Sequence, residues 1–67
     1  MKNKVRELRK KQKLTQNELA ELIGISRQAI NAIEKEKFDP SLPTAFKLSE
    51  LFKISIEELF IFKSLYY

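Results

Sequence analysis

The sequence predicts an all-α fold, a compact domain of five short helices. The chain has 67 residues, enough for one domain with a modest core. Hydroxyl side chains suited to capping helix N-termini occur at Thr15, Ser26 and Ser55, each followed by apolar residues at helical spacing. Gly24 is the only glycine and follows one such stripe, where a helix C-cap requires positive φ. Residues 1–67 are therefore predicted to form a single domain.

The first helix is predicted over residues 3–12, with Val5 and Leu8 directed to the core. Residues 1–13 carry seven lysines and arginines against one acid, whereas the rest of the chain carries six bases and eight acids. The net charge of +4 is thus concentrated at one end. Such a cluster favours binding to a polyanion, although a solvated charged helix would have the same composition.

The second and third helices lie within residues 15–34. Thr15 and Glu18 form a capping-box pattern at the start of the second helix. Gly24 ends that helix, and Ser26 caps a third helix predicted over residues 26–34. The spacing therefore predicts two short helices joined by a tight turn.

The third helix has one polar face. With 100° per residue, Gln28, Asn31 and Lys35 lie opposite the apolar side, flanked by Arg27 and Ala32. Arginine can bond guanine, and glutamine or asparagine can bond adenine, through two hydrogen bonds each; alanine can contact a thymine methyl group. Most polar helix faces are merely solvated, but a helix-turn-helix arrangement places such a face in the major groove of DNA.

The remaining helices are predicted from apolar spacing. A fourth helix, with proline tolerated in its first turn, runs to about Phe52; its predicted core residues are Leu42, Ala45, Phe46, Leu48, Leu51 and Phe52. A short fifth helix spans residues 54–60, with Ser55 as its cap. Its inward residues are predicted to be Ile56, Leu59 and Phe60.

The pattern T-Q-x-E-L-A-x-x-x-G-I-S-x-x-x-I-x-x-I-E resembles the Cro/C1-type, or Cro/repressor-type, helix-turn-helix family of small regulators. The segments 39–48 and 55–60 resemble the loop, fourth helix and fifth helix of that family, so the resemblance covers about residues 4–60. It implies a lambda-repressor-like DNA-binding domain, similar in length to the shortest members. The implied function is a dimeric, sequence-specific repressor that binds an inverted repeat in double-stranded DNA.

The resemblance also assigns roles to individual residues. It implies that Arg9 and Glu34 form an ion pair between the first and third helices. Base-reading residues would be Arg27, Gln28, Asn31 and Ala32. Contacts to the DNA backbone would come from Thr15, Gln16, Lys35, Lys37 and Ser41. The family usually has glycine where this chain has Glu36, so the third helix must end without glycine's freedom or continue further.

The C-terminal tail, residues 61–67, is rich in aromatic and β-favouring residues. Its composition is compatible with a short C-terminal strand or a β-hairpin with residues 1–3. The tail and its surroundings are predicted to form a homodimer interface that includes Phe52, Ile56, Phe60, Phe62 and Tyr66. Two alternatives stay open: a strand packed on its own domain, and a tail that grips a toxin in an antitoxin or another protein-interaction module.

Composition argues against several other classes. The chain has no histidine or cysteine, which removes common general bases and metal ligands. The adjacent Glu57 and Glu58 lie on different helix faces and cannot flank a substrate together. No catalytic site, metal, cofactor or small-molecule substrate is expected. No apolar run approaches the length of a membrane span, and no signal peptide is evident, so the expectation is a cytoplasmic protein.

Overall fold

The computed structural model describes residues 1–63, and within them the chain forms five helices and a two-stranded sheet. The elements in chain order are β1 (Lys2–Asn3), α1 (Val5–Lys11), α2 (Gln16–Ile23), α3 (Arg27–Glu34), α4 (Leu42–Phe52), α5 (Ile56–Leu59) and β2 (Phe60–Ile61). The predicted five-helix architecture is therefore confirmed. Of the described helices, none is long and apolar enough to cross a membrane.

Hydroxyl side chains cap the N-termini of four helices. Thr15, Ser26, Ser41 and Ser55 each accept a hydrogen bond from the backbone amide three residues later, at 3.0 to 3.3 Å. Thr15 and Ser55 complete capping boxes with Glu18 and Glu58. Isolated helices shorter than about 12 residues are marginal in water, so these caps matter; each is worth about 1 kcal/mol.

Four of the described helices are followed, within two residues, by a residue in the left-handed conformation. These residues are Lys13, Gly24, Glu36 and Lys53, with φ of 59°, 85°, 62° and 56°. After α1, α3 and α4, the backbone amides of the left-handed residue and of the residue that follows it donate hydrogen bonds to carbonyl groups in the last turn of the helix. This is the Schellman pattern. The sequence predicted this ending only at Gly24, because three of these helix ends lack glycine.

The N-terminus and the end of α5 meet in a small antiparallel sheet. Lys2 pairs with Ile61 and Asn3 pairs with Phe60. The predicted pairing of the start of the tail with residues 1–3 is therefore confirmed. The bounds of the first and fifth helices need correction. The first spans Val5–Lys11 and not residues 3–12, because Asn3 belongs to β1 and Gln12 is the C-cap. The fifth spans Ile56–Leu59 and not residues 54–60, because Ser55 is its N-cap and Phe60 has extended backbone angles.

The core lies where all five helices converge. It consists of Val5, Leu19, Ala20, Ile23, Ile30, Ile33, Ala45, Leu48, Phe52, Leu59 and Phe60. The prediction that Leu42 and Phe46 are core residues is wrong, because 66% and 52% of their surfaces are exposed. The core covers the side of α4 that carries Ala45, Leu48 and Phe52, whereas Phe46 lies about 100° around the helix from Ala45. Leu22 on α2 is also exposed, although its spacing along the helix is that of the core residues Leu19 and Ile23.

Candidate nucleic-acid interface

The turn between α2 and α3 depends on the backbone of Gly24. Its φ of 85° lies in the left-handed region, and its amide donates to Ala20 O at 2.8 Å. A Cβ added to Gly24 would meet no atom within 4 Å. Glycine is therefore needed for conformation and not for space. The turn leads directly to Ser26, whose hydroxyl accepts the Ala29 amide at the start of α3.

The third helix is buried on one side and open on the other. Ile30 and Ile33 are fully buried, whereas Arg27 and Gln28 are exposed. Asn31 and Ala32 are half-buried on the flanks of the open face. The predicted base-reading residues thus share one accessible surface of a helix whose other side is anchored in the core.

A buried ion pair connects α1 to the end of α3. Arg9 Nε lies 2.7 Å from Glu34 Oε2, and the side chains are only 10% and 4% exposed. Arg9 Nη2 donates to Glu34 Oε1 at 3.2 Å, while Arg9 Nη1 donates to the Leu14 carbonyl at 2.7 Å. The ion pair implied by the resemblance is present, with bidentate geometry that specifies one orientation of both side chains.

Gln16 joins this pair from the first turn of α2. Its Nε2 donates to Glu34 Oε1 at 3.1 Å. An amide nitrogen carries two protons, so one N–H of Gln16 stays free to donate elsewhere. Glu34 therefore ties the C-terminal end of α3 to both α1 and α2. Within residues 1–63 no buried side-chain nitrogen or oxygen lacks a hydrogen-bond partner.

The loop after α3 carries exposed charges of both signs. Lys35, Glu36 and Lys37 are exposed, and the amides of Glu36 and Lys37 donate to Ile33 O and Ala32 O at 3.0 and 2.9 Å. The helix thus ends at Glu34, with Glu36 in the position that the family usually gives to glycine. Ser41 is exposed, and its hydroxyl bonds Thr44.

An apolar surface lies around the small sheet, formed by Met1, Leu42, Ile56, Ile61 and Phe62. Phe62 is the most open of these, with 72% of its surface exposed. These side chains line adjoining shallow clefts that share Met1 or Ile56. Sequence reasoning included Ile56, Phe62 and, as part of the tail, Ile61. It missed Met1 and Leu42 as members of the same surface, because only the β1–β2 pairing brings the two ends of the chain together.

Of the other residues predicted for a dimer interface, two are core residues. Phe52 and Phe60 are buried in the core of their own chain, although Phe60 also lines the clefts of the apolar surface. Tyr66 lies outside the described residues.

Comparisons with known proteins agree with this geometry. The sequence pattern of the helix-turn-helix family matches residues 5–59. An uncharacterised HTH-type transcriptional regulator of Methanocaldococcus jannaschii is 51% identical over 63 residues, which are 94% of this chain and 96% of that protein. The HTH-type transcriptional regulator PuuR of Escherichia coli is 39% identical over 54 residues, which are 81% of this chain and 29% of PuuR.

A solved structure extends the similarity to three dimensions. The crystal structure of the restriction-modification controller protein C.AhdI from Aeromonas hydrophila matches with a TM-score of 0.75 and 35% sequence identity. The match covers 85% of this chain and 86% of the controller protein.

Proposed function

The chain belongs to the helix-turn-helix family of DNA-binding transcriptional regulators, and from this premise we propose that it is a dimeric repressor of an inverted-repeat operator. The observation that carries the proposal is the open polar face of α3, which is anchored by Ile30, Ile33 and Glu34 on its other side. A rigidly held helix with free hydrogen-bonding side chains is suited to reading base edges in the major groove.

In this proposal α3 enters the major groove with its N-terminal half leading. Arg27, Gln28 and Asn31 hydrogen-bond to base edges, and Ala32 contacts a thymine methyl group. Gln28 is both exposed and directly opposite the buried side of the helix, so it has the most direct access to the groove.

Contacts to the DNA backbone fix the position of α3 in the groove. Gln16 donates its free N–H to a phosphate while Glu34 holds the other, and the Thr15 hydroxyl lies beside it at the start of α2. Lys35, Lys37 and Ser41 approach the strand from the far end of α3. Such contacts supply salt-sensitive affinity but carry no sequence information.

A second copy binds across the apolar surface of Met1, Leu42, Ile56, Ile61 and Phe62. This surface includes none of the residues assigned to DNA, so dimerisation leaves α3 free. A two-fold axis through it would place two recognition helices in successive major grooves, about 34 Å apart, on an inverted repeat. Occupancy of a site that overlaps a promoter would then repress transcription.

Selection from a random duplex library tests the proposal, with anisotropy titrations of the selected duplex and a scrambled one. We expect an enriched inverted repeat with half-sites about one helical turn apart. Gln28→Ala should relax preference at one base pair in each half-site, at a cost of about 1–3 kcal/mol.

Gln12→Ala is the matched control, since Gln12 is an exposed glutamine at the end of α1 and outside the proposed reading face. Equal affinity of the wild-type chain for selected and scrambled duplexes would refute sequence-specific reading. An unchanged ranking of operator variants by Gln28→Ala would refute the role of Gln28.

A further inference from the structure

A polar cleft of about 190 Å³ opens between α1 and the C-terminal end of α3. Helices α1, α2 and α3 and the residue after α3 contribute to its lining, which consists of Arg6, Arg9, Gln16, Asn31, Glu34 and Lys35. Asn31 belongs to the proposed base-reading face, so the cleft is continuous with that face. Arg6 has no role in the contacts described above, and its place in the cleft was not evident from the sequence.

The cleft has an excess of positive charge. Its single acid, Glu34, accepts hydrogen bonds from Arg9 and Gln16 on both carboxylate oxygens. Arg9 in turn directs its hydrogen bonds inward, to the Glu34 carboxylate and the Leu14 carbonyl. Arg6 and Lys35 are the other two cations of the cleft, and both are exposed. Among residues 1–63, neither has a carboxylate oxygen within 4.0 Å.

The position of Arg6 does not favour its own helix. It lies in the first turn of α1, where a positive charge is opposed by the helix dipole. Its side chain is exposed and contributes nothing to the buried core. A stabilising role within the fold therefore does not account for a cation here, whereas an external anion does.

We propose that this cleft binds one backbone phosphate of duplex DNA, with Arg6 and Lys35 as its two cationic ligands. The inference rests on the proposed DNA-binding function and identifies Arg6 as the member of the N-terminal basic cluster that contacts a particular phosphate. A phosphate fits because the two cations flank a polar cleft beside Asn31, where the strand adjoining the bases read by α3 would pass. The guanidinium of Arg6 can donate two hydrogen bonds to one phosphate. The contact would fix the register of α3 without reading sequence.

The test compares Arg6→Gln with Lys11→Gln by anisotropy on the selected and the scrambled duplex. Lys11 is also exposed on α1 and lies about 140° around the helix from Arg6, so both variants lose one positive charge on one helix. Arg6→Gln should weaken binding to both duplexes by the same factor, about tenfold. Lys11→Gln should change affinity much less. Melting curves should show both variants folded.

Salt dependence separates a direct phosphate contact from a general charge effect. The slope of log affinity against log salt should become shallower by about 0.9 in Arg6→Gln. Between about 50 and 200 mM salt, the affinity of Arg6→Gln should therefore fall by a factor roughly 3.5 times smaller than that of the wild-type chain. Equal slopes and equal affinity losses in Arg6→Gln and Lys11→Gln would overturn the assignment.

Duplexes with one neutral methylphosphonate at successive positions locate the contact. One position should weaken binding by the wild-type chain more than binding by Arg6→Gln, which keeps only the Lys35 contact to that phosphate. If every position weakens both proteins equally, Arg6 contacts no particular phosphate and the proposal is wrong. If inorganic phosphate shifts the NMR signals of the cleft in the wild-type chain only, while DNA affinity is unchanged in Arg6→Gln, the cleft is a small-anion site instead.

These outcomes are separate from the failure of the proposed function. If Arg6 contacts no phosphate, the wild-type chain should still select an inverted repeat. A wild-type chain that selects no sequence contradicts the proposed function itself.

Discussion

Replacing Glu36 with glycine should stabilise the domain. Glu36 has φ of 62° at the end of α3, and two backbone hydrogen bonds of 3.0 and 2.9 Å hold that geometry. A left-handed backbone costs a residue with a Cβ about 1–2 kcal/mol. Glycine removes this cost but loses about 0.5–1 kcal/mol through the entropy of the unfolded chain. From the midpoints of these ranges, the net gain for Glu36→Gly is about 0.75 kcal/mol, or a rise in Tm of roughly 3–6 °C for a domain of this size.

Glu36→Gln separates backbone strain from charge. It removes the carboxylate but keeps the Cβ, so its free energy of unfolding in urea should stay near the wild-type value. Both variants should bind DNA more tightly than wild type, because each removes a negative charge beside the exposed Lys35 and Lys37. If Glu36→Gly is no more stable than Glu36→Gln, the strain argument is refuted.

Three further perturbations test other contacts. Arg9→Met leaves the buried carboxylate of Glu34 unpaired and should lower the free energy of unfolding in urea by about 3–5 kcal/mol. Adding Glu34→Met should recover most of that loss, and a loss well below 1 kcal/mol for Arg9→Met alone would show that the pair is not buried in solution. Phe62→Ser should give a monomer by light scattering at concentrations where wild type is dimeric, whereas Phe46→Ser, which is also exposed but outside the apolar surface, should stay dimeric. Gly24→Ala should lose about 1 kcal/mol, from the φ of 85° and not from crowding, with base preference unchanged; a Tm equal to that of wild type would contradict this.

Local hydrogen bonding explains why much of the fold could be predicted from the sequence. A cap joins residues three positions apart, so Thr15 with Glu18 and Ser26 with Ala29 can be identified in the sequence alone. The turn at Gly24 has a similarly local cause. The Arg9–Glu34 pair spans 25 positions, and no local pattern encodes it; only the resemblance to a family implied it.

Other features depend on packing that periodicity does not specify. Leu42 and Phe46 have the same helical spacing as core residues, but the neighbouring helices cover a different side of α4. The end of α3 at Glu34 could not be predicted exactly, because the left-handed residue that follows it is Glu36 and not a glycine. The position of Arg6 depends on how α1 crosses α3, which places it beside Asn31 and Lys35.

The structure divides α3 into residues that hold the helix and residues that face outward. Substitution of Ile30, Ile33 or Glu34 would disrupt packing or hydrogen bonding, because these side chains are buried in the core or in the ion-pair network. Arg27 and Gln28 are exposed and belong neither to the core nor to the ion-pair network. Substitution at these two positions should therefore alter base preference with little effect on stability, which is typically within about 0.5 kcal/mol for exposed sites. Under the proposed function, a domain this small can acquire a new operator without a new core, since the residues proposed to read bases and the residues that hold the fold are different side chains of one eight-residue helix.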